Sequence, residues 1–206
     1  MRDEQIISGL PKIINNSKEL LSDANLLYEN SRFQRAYSLY QLSIEEIAKA
    51  FYLIGIVIFQ EEERAKISRQ IKSHKFKSKK SVGLEYLLVS FLKEINKDKY
   101  DEIVKDHILE LNSVNEINEK KNHGFYVSII NNEFKDPSEI ISPVDTKKIK
   151  NIAELRIWIG NKFLEPMLKN IYSITEQAQK INLKNSNNRE EHISDLKRII
   201  KKFGIQ

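Results

Sequence analysis

Three features of the chain predict an all-α fold. Apolar residues recur at intervals of three and four over long stretches, no stretch alternates convincingly between apolar and polar residues, and glycine and proline number only 6 and 4 in 206 residues. The first pattern places apolar groups on one side of a helix, and the second removes the period-two signal of a half-buried strand. Scarce helix breakers suit long helices better than many short strands joined by turns. A chain of 206 residues can build one real core. One helical domain is expected over residues 1–181, followed over 182–206 by a polar linker and a basic amphipathic helix packed on it or appended to it.

The first helix is predicted over residues 12–29, with Pro11 in its first turn and Ile13, Leu20, Leu21, Ala24, Leu27 and Tyr28 as its buried stripe. Asn30 and Ser31 make the turn into a long central helix over residues 31–60, with Ser31 as N-cap. Its apolar face runs through Phe33, Ala36, Tyr37, Tyr40, Ile44, Ile47, Phe51, Ile54 and Ile58. From Ile44 onward the other faces turn apolar too, so this half belongs at a bundle centre or in an oligomer interface. Glu45, Glu46 and Lys49 stand out there as a local charge network, because a charge near a core needs a partner. Adjacent helical residues point about 100° apart, so Glu45 and Glu46 cannot both face one scissile bond.

After Gln60 the composition changes, and from Arg64 to Lys80 the chain is rich in lysine and arginine and free of acids. Ser73-His74-Lys75-Phe76-Lys77 interleaves a histidine and an aromatic with bases, either as an RNA-holding surface or as an ordinary basic connection. Helical spacing returns over 81–95 and 100–111, which should pack on the central helix, with His107 a structural or surface residue. A polar, helix-compatible run then meets His123-Gly124, where Gly124 ends the helix, and the apolar Phe125-Tyr126-Val127. Residues 131–144 read as the longest irregular connection, a flap or a plain loop. A further helical stretch runs from Thr146 to about residue 181 and should be kinked or divided by Pro166. The last amphipathic helix, 189–203, carries Lys197, Arg198, Lys201 and Lys202 and could touch RNA, a membrane surface or simply the bundle.

Several chemistries find no support. Cysteine is absent, which excludes disulfides, thiolate metal sites and cysteine nucleophiles. There is no glycine-rich phosphate loop, zinc-spaced histidine pair, nucleophile elbow or EF-hand acid series, so neither a metal nor a cofactor is expected. The N-terminus lacks a signal-peptide core and Phe51–Phe59 is too short to span a bilayer, so a cytoplasmic protein without stable membrane association is expected.

The run Phe33 to Ala50, with Arg35-Ala36-Tyr37 and Ile44-Glu45-Glu46-Ile47-Ala48-Lys49-Ala50, resembles the Glu-Glu-x-x-Lys-Ala helix of the AbiV abortive-infection family, a branch of the HEPN superfamily. His74-Lys75-Phe76-Lys77 is similar to that family's histidine-lysine segment, and Gly124-Phe125-Tyr126-Val127 to its Gly-aromatic-Tyr-Val element. The resemblance covers residues 15–180. It implies an antiphage protein with an HEPN-like helical bundle, in which two subunits pair to build one RNA-cleaving cleft. The chain departs from the pattern in two places. Many HEPN ribonucleases carry Arg, four to six residues, then His, yet Asn118, Ile117 and Glu116 occupy those positions before His123. Ser128 stands where the family usually has an acid.

Metal-independent RNA cleavage needs a group to take the 2′-hydroxyl proton, a group to protonate the leaving 5′-oxygen, and positive charge at the phosphate. The resemblance implies His123 for acid or base, Lys121 with Lys120 for the phosphate, and Asn118 and Asn122 as polar positioning groups. Tyr126 would pack behind or stack, and Glu46 or Glu45 with Lys49 would orient the cluster. His74 and Lys75 would give a second proton donor or, with Lys77, hold RNA. The expected partners are a second copy of the chain, RNA and a phage-encoded activator. The competing reading is a non-catalytic helical module that binds a phage protein or the translation machinery, with His123 merely closing a helix. A membrane-surface role for the basic C-terminal helix is the remaining alternative.

Overall fold

The computed structural model describes residues 2–59 and 114–180, together with position 198. The expected helices over 81–95, 100–111 and 189–203, the basic run with His74, Lys75 and Lys77, His107 and the 182–188 linker lie outside the described residues. Two long helices, α1 (Asp3–Glu29) and α2 (Phe33–Phe59), form an antiparallel pair. They are followed by α3 (Val114–His123), a two-stranded ribbon of β1 (Ser128–Ile130) and β2 (Glu133–Lys135), α4 (Pro137–Ile140), α5 (Pro143–Lys169) and α6 (Ile171–Lys180). The architecture of the described residues is an all-α bundle centred on α2, with the ribbon as a small addition.

α1 begins at Asp3, nine residues before the predicted start at residue 12, and passes through Pro11. Ile6, Leu10 and Ile14 are buried while Pro11 is exposed. Proline inside a helix costs about 3 kcal/mol through a lost hydrogen bond and a clash. Burying an aliphatic side chain returns about 1.5–3 kcal/mol, so Ile6 and Leu10 offset the interruption.

Ser31 is not the N-cap of α2. It has φ 59°, in the left-handed region, and it closes α1 instead. The Ser31 amide donates to the Tyr28 carbonyl at 3.0 Å and the Arg32 amide to the Leu27 carbonyl at 2.8 Å. This pair of bonds is the Schellman ending of a helix. Arg32 holds the cap position of α2, its carbonyl accepting from the Ala36 amide at 3.0 Å.

The core divides into two clusters along α2. Toward its C-terminal half, Ile47, Phe51, Ile54 and Ile58 pack with Ile6, Leu10 and Ile14 of α1, Ile157, Phe163 and Leu164 of α5, and Ile171 and Ile174 of α6. Toward its N-terminal half, Ala36, Tyr37, Tyr40 and Ile44 pack with Ala24 and with Ile141, Ile149, Ile152 and Ala153. The surplus apolar residues after Ile44, Leu53, Ile56 and Val57 among them, are already buried within the chain. They therefore sit at the bundle centre. Gly160 lets α5 cross α2 closely, since a Cβ there would meet Ile47 Cδ1 at 2.7 Å.

Polar bonds fix the α1–α2 register. Ser43 Oγ donates to the Ser17 carbonyl at 2.7 Å, and the Tyr40 hydroxyl to Asn25 Oδ1 at 2.6 Å. Burial, with Glu154, Tyr28 and Glu29 nearby, pushes the Tyr40 hydroxyl well above its ordinary range, so it stays a donor.

Two expectations for the second half are corrected. Residues 128–140 hold the ribbon and α4 rather than an irregular connection, because Asn131 and Asn132 adopt φ 52° and 64°, the paired left-handed positions of a tight hairpin turn. α5 starts at Pro143, capped by Ser142, whose Oγ accepts from the Asp145 amide at 3.1 Å. Pro166 lies inside α5, and the break comes four residues later at Asn170, whose Nδ2 donates to the Pro166 carbonyl at 2.9 Å.

Candidate functional site

One face of α2 carries a polar stripe, Gln34, Ser38, Gln41 and Glu45, spaced four, three and four residues apart and thus aligned along the helix. Ser38, Gln41 and Glu45 are buried. The end of α3 docks along this stripe. Ser38 Oγ donates to the Lys121 carbonyl at 2.6 Å, satisfying an acceptor that the helix end leaves open. Lys121 Nζ donates to Glu45 Oε1 at 2.6 Å, with side-chain exposures of 7% and 1%. Gly124 then passes so close to α2 that any Cβ would collide with Ser38 Oγ and the Gln34 carbonyl. Gly124 ends α3 as predicted, but the reason is this close approach and not a left-handed backbone.

Glu45 and Glu46 therefore serve different neighbours. Lys49 Nζ donates to both carboxylate oxygens of Glu46 at 2.6 Å, and Asn16 Nδ2 of α1 donates to Glu46 Oε2 at 3.3 Å. The expected Glu46–Lys49 pair forms on the α1 side. Glu45 reaches across 76 residues to Lys121.

The two lysines before His123 are both engaged. Lys121 is buried, so its ammonium holds Glu45 rather than facing a phosphate in solvent. Lys120 Nζ lies 3.4 Å from Asp145 Oδ1 in the first turn of α5 and remains partly exposed. Burial alone would raise the Asp145 carboxyl, but hydrogen bonds from the Ser142 hydroxyl and amide and the Lys120 charge outweigh it and hold the group below its ordinary value. Lys121 thus ties the end of α3 to α2, and Lys120 ties it to α5.

His123 is half-buried at the last position of α3. Its Nδ1 is 2.5 Å from Ser128 Oγ, and the Ser128 hydroxyl is 3.5 Å from the Tyr126 carbonyl, to which it donates. Ser128 lies on the ribbon face opposite to Ile129, because strand side chains alternate. It is paired directly with Lys135, while Ile129 is paired with Phe134. Asn122 is exposed, and Asn118 lies in the α3 backbone. Tyr126 does not pack behind the histidine: it is 69% exposed, with Phe125 edge-on beside it at 6.3 Å between ring centroids. Val127, Ile129 and Phe134 are exposed as well, so the outward face of the ribbon is apolar.

The stripe of α2, the docked end of α3 and the Gly124–Val127 crossing all fall within one stretch of similarity. The HEPN family model described as AbiV matches residues 5–158. The chain belongs to the AbiV family. No curated protein and no solved structure matches it. The AbiV match covers α1, α2, α3, the ribbon and most of α5, the elements that build and hold the His123 end of α3. Among the described residues, no helix is long and apolar enough to cross a membrane, and no group of three or more His, Asp or Glu gathers as a metal site.

Sequence reasoning missed Ser38 and gave Ser128 no role. The stripe at 34, 38, 41 and 45 was a readable signal, since polar residues at helical spacing inside an apolar run mark a polar contact to come. Ser128 had no such signal, because its meeting with His123 depends on the hairpin.

Proposed function

We propose that this AbiV-family protein is an antiphage abortive-infection factor that acts as a metal-independent endoribonuclease. The observation that carries the reading is His123, a half-buried imidazole held through Nδ1 by Ser128 at the end of a helix pinned on both sides. Imidazole titrates near neutral pH and can take a proton from a 2′-hydroxyl and return one to a leaving 5′-oxygen. Lys121 and Glu45 position the helix end, Lys120 brings a partly exposed ammonium, and Asn118 and Asn122 supply polar contacts to RNA. Exposed Tyr126 offers a ring for a base to stack on. His74, Lys75 and Lys77 are read from sequence as a backbone-holding run. Glu46 with Lys49 supports α2 from the α1 side.

The protein acts as a homodimer in this reading. Val127, Ile129 and Phe134 form an uncharged exposed face beginning next to Ser128, which a second copy would cover. That face equally favours one other reading, in which the module is non-catalytic and binds a phage protein or the translation machinery. Mapping RNA ends after induced expression separates them: new ends bearing 2′,3′-cyclic phosphate support the nuclease, and phage protection with intact RNA supports the binding module.

A further inference from the structure

We propose that Ser128 is a positioning residue that fixes the tautomer of His123, so that the ring exchanges protons through Nε2 alone; this rests on His123 being the proton-transfer group. The Ser128 hydroxyl donates to the Tyr126 carbonyl at 3.5 Å, which leaves its lone pairs to accept a hydrogen from His123 Nδ1. With the neutral ring protonated at Nδ1, Nε2 carries the lone pair. Among the described residues Nδ1 is the ring nitrogen that is hydrogen-bonded, and Nε2 is left for substrate.

The proton count closes over a cycle. Nε2 takes the 2′-hydroxyl proton as the oxygen attacks phosphorus, giving an imidazolium that still donates from Nδ1 to Ser128. The 5′-oxygen departs from the opposite side of phosphorus and takes its proton from water, and Nε2 releases its own proton to water, which returns the ring to its starting form. Nothing at Nδ1 changes in either step, so the ring keeps one orientation throughout. A serine that donated to Nδ1 would have to turn its hydroxyl round once the imidazolium formed, or be pushed away.

The hairpin is what delivers Ser128. The left-handed Asn131-Asn132 turn sets the register in which Ser128 opposes Lys135 and Ile129 opposes Phe134. Lys135 is held by Glu133 at 2.8 Å and Glu139 at 3.5 Å, which ties the Ser128 face of the ribbon to α4. A one-residue slip would exchange the faces and turn Ser128 away from His123.

The test is ¹⁵N NMR of the imidazole in the full-length protein, at a pH where the ring is neutral, beside single-turnover RNA cleavage. The parent should show Nδ1 protonated and Nε2 unprotonated. Ser128→Ala should lose that preference and cut RNA roughly tenfold or more slowly with unchanged KM, and Ser128→Thr, which keeps a hydroxyl, should restore both. A parent ring protonated at Nε2, or a Ser128→Ala protein with the parent's tautomer and rate, overturns the assignment. If no variant cuts RNA but the tautomer still changes with Ser128→Ala, the ribonuclease reading fails while the hold of Ser128 on the ring stands.

Discussion

Lys121 and Glu45, 76 residues apart in sequence, meet through a 2.6 Å ion pair inside the protein, at side-chain exposures of 7% and 1%. Breaking a buried ion pair by removing one partner costs about 3–5 kcal/mol, whereas removing both costs less. Glu45→Gln and Lys121→Met should each destabilise the protein by that order, and the double variant by clearly less than their sum. Denaturant unfolding of the four proteins checks this. Additive losses would mean that the two charges do not act as a pair.

Gly124 is required by the proximity of α2. Gly124→Ala would drive a methyl group into the Gln34 carbonyl and Ser38 Oγ, and it should cost about 1–3 kcal/mol as an overpacked contact. The damage should be local to the α3 end: hydrogen exchange should speed up at residues 120–124 more than in the α1–α2 pair. Equal protection in variant and parent would contradict the close approach.

The pH response of the α3–α5 tie has a defined sign. The Asp145 carboxyl lies below its ordinary 3.8 in the folded protein, through Ser142 and Lys120 acting against burial. Folding therefore favours the ionised form, so its contribution is fully present above about pH 4 and is lost as the pH falls through the lower folded value. Carbon-13 titration of the Asp145 carboxyl should give a midpoint under 3.8, and Lys120→Met should raise it. A midpoint above 3.8 in the parent would contradict the tie.

The helical bundle was legible because its periodicity is local: the stripes of α1, α2 and α5 lie in the sequence itself. The Glu46–Lys49 pair was legible for the same reason, being three residues apart. Glu45–Lys121 was half legible, since a carboxylate in an apolar run demands a cation but spacing cannot say which one. Ser31 misled because serine serves both as an N-cap and, less often, in the left-handed position that ends a helix. The hairpin escaped notice because each strand has three residues, too few for a period-two pattern, and its signal was the Asn131-Asn132 pair. The partners of His123 were invisible for that reason.

The outward ribbon face yields a prediction about assembly. Ile129→Lys with Phe134→Lys puts charges on two exposed apolar positions that face each other across the strands. The expected result is a dimer for the parent in light scattering and, for the variant, a dimer dissociation constant raised at least tenfold, about 1.4 kcal/mol. A parent that is monomeric at micromolar concentration, or a variant that dimerises as the parent does, would contradict pairing through this face.

The most direct measurement is RNA cleavage by purified parent and His123→Ala proteins in EDTA, with circular dichroism and thermal melting to establish that both are folded. The account predicts that the parent cuts RNA without a divalent metal, leaves 2′,3′-cyclic phosphate ends, and loses about two to four orders of magnitude in rate on the substitution. A folded His123→Ala protein that cuts as fast as the parent would contradict it.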